Sequence, residues 1–175
     1  MTTIKEDGSQ VITFTDITAI HNAMFKDENT KLPGRKFTLE KIELLKQKST
    51  SINVILMSLK HYSNLEKIYG KKDAIDVEVE FAQSIKDIRD KLLKETFIGH
   101  LNKNMFLIVP PEDVDSTKLY SELKEIKTIN AELTLKARKK DIGLDLFTNI
   151  SNYKIDTSLE LNHIEINLMN AFETM

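Results

Sequence analysis

Residues 52–59 read Ile-Asn-Val-Ile-Leu-Met-Ser-Leu, nearly continuous in apolar side chains. A run of this kind predicts a central strand covered on both faces. Elsewhere the period changes. Leu39, Ile42 and Leu45 recur at helical spacing over about 35–47, and Val77, Phe81, Ile85, Ile88 and Leu92 over about 73–93. Both read as amphipathic helices with one apolar stripe inward. Pro33-Gly34 breaks the chain before the first of them, and Gly70 closes a short helix over about 63–69. Asp16 is placed to cap a helix to about Phe25, with Ile17, Ile20 and Met24 on one face.

The second half begins with two apolar runs, 96–101 and 104–109, on either side of a short polar turn and ending at Pro110-Pro111. That pattern predicts a β-hairpin. Glu112 to Ser116 can start a helix reaching Ile126, with Leu119, Leu123 and Ile126 inward. Strands are expected at 133–138, where apolar and polar residues alternate, and at 142–148. A polar loop follows, then a last helix over about 159–172. Residues 1–10 are polar and read as a flexible leader, with a short strand at 11–14. The expected division is a leader or linker over 1–15 and a single domain over 16–175. Its class is α+β, a central mixed, mostly antiparallel sheet with helices packed over it.

Composition narrows the functional classes. The chain has 175 residues, 30% of them charged, with a net charge of -2, so it lacks the basic excess of a nucleic-acid binder. It has no cysteine, which removes disulfides, thiolate metal sites and a cysteine nucleophile, and fits a cytoplasmic setting. No stretch approaches the roughly 20 apolar residues that span a bilayer, so direct membrane insertion is not expected. His21, His61, His100 and His163 lie far apart without metal-ligand spacing and read as surface or packing residues. Asp73 and Asp76 complement a helix N-terminus, and Glu112, Asp113 and Asp115 read as a loop and helix cap. There is no Gly-rich phosphate loop. Ser151 and the other serines have no evident His/Asp partners.

Three collinear segments carry a family resemblance. The first is Asp27-Glu28-Asn29-Thr30-Lys31-Leu32-Pro33-Gly34-Arg35. The second is the strand ending Leu56-Met57-Ser58-Leu59-Lys60, continued by Tyr62, Leu65, Tyr69 and Gly70. The third is the hairpin turn Asn102-Lys103-Asn104-Met105-Phe106. Together they resemble the GGDEF family of bacterial diguanylate cyclases over about residues 16–172. The first resembles the family's opening motif Asp-x-Leu-Thr-Gly-Leu-Pro-Asn-Arg: Asp27, Thr30, Leu32, Pro33 and Arg35 match, whereas Asn29, Lys31 and Gly34 depart. Of the signature Gly-Gly-Asp-Glu-Phe only Phe106 matches.

The resemblance implies a nucleotidyl-cyclase-like fold of ferredoxin-like, palm type. It also implies a chemistry in which two domains meet and join two GTP molecules with the help of divalent metal, which takes carboxylate ligands. The family's metal-binding acids fall at Ser58, Lys60 and Met105, and the neighbouring signature Asp at Asn104. Its guanine contacts fall at Glu66 and Ile75, and Ile75 cannot hydrogen-bond. Its phosphate-facing glycines fall at Asn102 and Lys103, whose side chains crowd that approach. Its product-binding inhibitory Arg and Asp fall at Leu93 and Thr96.

The expectation is therefore a degenerate domain without catalytic, metal, nucleotide or inhibitory residues and without cofactor. It would act in cyclic di-GMP-related signalling through a protein partner or as a homodimer. The alternative is a module that senses nucleotide or cyclic di-GMP without turnover, with Arg35, Lys60 and Lys103 as its anionic-ligand site if they converge. An enzyme with relocated chemistry finds no acid cluster to support it.

Overall fold

The structure is a computed structural model and describes residues 2–4, 10–12, 25–112, 114–126, 136, 139 and 148–175. Two short strands, β1 (Thr2–Ile4) and β2 (Gln10–Ile12), pair antiparallel inside the expected leader. β2 overlaps the strand expected at 11–14, and β1 adds a partner strand that the polar composition of residues 1–10 did not suggest. The predicted helix over 16–25 lies outside the described residues except for Phe25.

Helix α1 (Arg35–Lys46) begins directly after Pro33-Gly34. There the Thr38 hydroxyl donates to the Gly34 carbonyl at 2.9 Å within the first turn. Strand β3 (Ser51–Leu59) follows, then α2 (Tyr62–Tyr69) and α3 (Lys71–Leu92). Gly70 separates the two helices at φ 94°, a backbone region that glycine enters without steric cost. The hairpin is β4 (Phe97–Asn102) and β5 (Met105–Val109), and α4 spans Thr117–Lys124. The chain closes with β6 (Thr148–Asp156) and α5 (Leu161–Thr174).

The sheet order is β4-β5-β3-β6, and every pairing among the described residues is antiparallel, so the mixed element of the expected sheet is not present there. β3 is central, as its apolar run requires. Its two faces meet different helices. Ile55, Met57 and Leu59, with Ile98, Phe106 and Ile108, pack under α3 and α4 through Val77, Phe81, Ile85, Leu119 and Leu123. Ile52, Val54 and Leu56, with Leu107, Val109 and Ile155, pack under α1 and α5 through Ile42, Ile164, Leu168 and Phe172. Two helical layers thus enclose one α+β sheet.

Two sequence expectations are corrected, and two fall mostly outside the described residues. The helix expected from 112 begins only at Thr117, because the Asp115 carboxylate accepts from the Thr117 N–H at 2.9 Å and holds a turn there. Of the strand expected at 133–138 only Lys136 is described, and it is helical; the rest lies outside the described residues. The strand expected at 142–148 lies outside them too, except Thr148, which opens β6. The segment after Thr148, read as a polar loop, is a nine-residue strand. It alternates Ile150 toward one core with Tyr153 and Ile155 toward the other.

Candidate functional site

The hairpin turn and the C-terminal end of β3 meet at one end of the sheet, where Ser58 pairs with Met105. A register shift between His100 and Asn102 leads into the turn, and Lys103 sits at φ 35°. Both turn side chains are tied back to the chain. The Asn104 amide donates to the Leu59 carbonyl at 2.7 Å, and the Lys103 ammonium pairs with Glu66 at 2.9 Å. Ser58 is buried, Lys60 is exposed, and Ile75 is half-buried near the start of α3. The end of the sheet that the resemblance assigns to metal and phosphate therefore carries a hydroxyl, a thioether, two amides and two lysines at those positions. Glu66, on a guanine position, is engaged by Lys103.

The inhibitory positions are apolar or closed. Leu93 packs against the core, and the Thr96 N–H donates to the Leu93 carbonyl at 2.9 Å in the turn that follows α3. Arg35 and Lys103, two of the three cations that an anionic ligand would need, are each paired with a carboxylate. Arg35 pairs with Glu165 on α5 and Lys103 with Glu66 on α2, and these helices cover opposite faces of the sheet. A cleft of about 620 Å³ opens at the other end of the sheet, beside Lys41, Lys48, Phe97, Val109 and Glu112. None of the residues singled out by the resemblance lines it.

Behind the hairpin turn lies a polar cluster that sequence reasoning missed. His100 is 5% exposed and Glu78 4%. The imidazole stacks on Phe106 with ring centroids 4.8 Å apart and planes at 12°. Its Nδ1 lies 3.2 Å from Asp27, its Nε2 lies 3.3 Å from Glu78, and Nε2 also meets the Lys103 carbonyl. The Tyr62 hydroxyl donates to Glu78 at 2.6 Å. Burial, then the Glu78 hydrogen bond and charge, push the Tyr62 hydroxyl far above its ordinary range.

Burial also raises the Glu78 carboxyl despite the Tyr62 hydrogen bond. Burial raises Asp27 as well, but the Thr30 N–H, the His100 ring and the Thr30 hydroxyl outweigh it and hold that carboxyl below its usual value. The three groups have metal-ligand chemistry. The two ring nitrogens face different carboxylates, so the side chains as placed form a hydrogen-bonded relay. The expectation of His100 as a surface or packing residue is therefore too plain. A signal was available: Glu78 falls on the apolar stripe of α3 between Ala74 and Phe81, and His100 alternates inward with Ile98. Charges at core positions are rarely idle. His61 and His163 are exposed, and His21 lies outside the described residues.

The sequence matches no family model and no curated protein. Solved structures do match. One is the diguanylate cyclase SiaD of Pseudomonas aeruginosa, in complex with its activator SiaC, at TM-score 0.62 and 14% identity. The match covers 90% of this chain and 62% of SiaD, so the chain spans less than two thirds of that protein. The coiled coil and GGDEF domain of DgcB from Caulobacter crescentus, in complex with c-di-GMP, matches at TM-score 0.64 and 12% identity, over 89% of this chain and 82% of that one. The S helix-GGDEF-EAL segment of Vibrio cholerae LapD matches at TM-score 0.60 and 15% identity, over 87% and 34%. At these identities the likeness is one of fold, and the fold is GGDEF-like.

Proposed function

We propose that this chain is a catalytically inactive GGDEF-like domain of bacterial cyclic di-GMP-related signalling that acts in the cytoplasm by binding protein, as a regulatory or localisation module or as a homodimer. One observation carries the reading. The turn that would cradle phosphate and metal is tied to its own chain, through Asn104 to Leu59 and Lys103 to Glu66, with no carboxylate at Ser58, Lys60, Asn104 or Met105. Neutralising triphosphate charge calls for divalent metal on hard oxygen ligands, which these positions do not offer. Fold alone cannot restore that chemistry. The SiaD structure, which holds a protein activator on a GGDEF-fold chain, is compatible with a protein-binding role.

Isothermal calorimetry separates this reading from ligand sensing. With GTP and magnesium, GDP or cyclic di-GMP at high-micromolar concentration, no binding heat is expected. Saturable heat with any of them would move the domain into the class of nucleotide sensors.

A further inference from the structure

The hydrogen bonds around His100 leave its ring facing acceptors on both sides. Nδ1 faces Asp27 Oδ2 at 3.2 Å. Thr30 Oγ1 lies 3.5 Å from the same nitrogen, but its hydrogen is given to Asp27 Oδ1 at 2.9 Å, so only lone pairs face the ring. Nε2 faces the Lys103 carbonyl and Glu78 Oε1. The Tyr62 hydrogen is given to the other oxygen of Glu78. A neutral imidazole has one N–H. With both carboxylates ionised, its second nitrogen would point a lone pair at oxygen lone pairs in a buried site, where an unmet polar group is costly. One further proton removes the conflict, either on the ring or on Glu78 pointing back at Nε2.

We propose that His100 and Glu78 hold one proton between them in neutral solution, and that this proton latches the hairpin turn to the core. Its loss sets a ring lone pair against either Asp27 or the Lys103 carbonyl, and buries a second carboxylate charge beside that of Asp27. The other charged and titratable groups around the pair are already engaged. From α2, Tyr62 serves Glu78 and Glu66 pairs with Lys103 of the turn; from α3, Lys86 donates to the Thr30 carbonyl at 2.7 Å. Burial supports retention of the proton by raising Glu78. Burial lowers His100, opposed by Asp27, which favours the form with a neutral ring beside a protonated Glu78. Both forms contain the same shared proton, and the pair titrates as a unit.

The unfolded chain holds no such proton above the ordinary histidine value of about 6.5. The folded protein therefore binds more protons than the unfolded one at neutral pH. Its folding constant should fall as pH rises toward the midpoint of the pair, by up to about tenfold per pH unit. Two measurements test this. Imidazole NMR of the wild-type protein should show the His100 ring and the Lys103 and Asn104 amides shifting together as the shared proton leaves, in one transition above about pH 6.5. Chemical denaturation across pH 6–9 should show the slope in the wild type and a flattened slope in Glu78→Gln, which keeps the shape and the Tyr62 acceptor but cannot ionise. The absence of a common transition of the ring and the turn amides above about pH 6.5 would overturn the proposal. So would a slope retained in Glu78→Gln. If that variant does not fold, the wild-type NMR titration decides alone.

Discussion

At Asp27 one carboxylate oxygen accepts from the Asn29 N–H at 3.1 Å, the Thr30 N–H at 2.7 Å and the Thr30 hydroxyl at 2.9 Å, while the other oxygen faces His100. These partners bend residues 27–30 into the turn that delivers Thr30 and Leu32 to the core. Burial works against the ionised form, but the donors win, and the carboxyl lies below its ordinary value. A depressed folded-state value means that this contribution is present above the unfolded value of about 3.9 and is lost as pH falls through the folded one. Asp27→Asn is expected to cost about 1–2 kcal/mol at neutral pH, the low part of the range for charged hydrogen bonds because the side chain is 23% exposed. The variant should also lose stability less steeply than the wild type between about pH 4 and pH 2. Denaturant melts at neutral and acid pH check both. An equal acid loss in the two proteins would place the effect on other carboxylates.

At the scale of elements, α1 packs tightly on β4 at Gly99, where a Cβ would stand 2.3 Å from Thr38 Oγ1 and 2.9 Å from Thr38 Cβ. Gly99→Ala must push the helix off the strand, an overpacking cost of about 1–3 kcal/mol. Thr38→Ala in the same chain removes the two nearest atoms and should return part of that stability, which a double-mutant cycle by thermal or denaturant melting would reveal. Additive losses would contradict the close approach. How much of the fold the sequence disclosed follows the same logic of faces. β3 was legible because both of its sides are buried and leave no polar alternation. β6 was not, because on a sheet edge its Asn149, Ser151, Asn152 and Lys154 read as loop chemistry while Ile150 and Ile155 point to opposite cores. The replaced turn and strand-end residues could be read as letters once the resemblance was seen. The inward positions of Glu78 and His100 were readable from their stripes, but their meeting with Asp27 was not, since a loop, a strand and a helix are joined only by the fold.

On the scale of the whole molecule, the proposed inactivity sets a retained frame beside replaced residues at the family's site positions. The sheet, its two helical layers and Phe106 at full burial keep a GGDEF-like frame. The end of that frame where metal and nucleotide would meet holds Ser58, Lys60, Asn104 and Met105, and its turn is anchored to its own neighbours. The most direct measurement is GTP turnover by the purified protein, at high protein concentration so that two copies can meet, with magnesium and then manganese, and with products separated chromatographically. A catalytically inactive domain gives no cyclic di-GMP above a protein-free blank under either metal. Time-dependent accumulation of cyclic di-GMP in proportion to the protein added would contradict that inactivity.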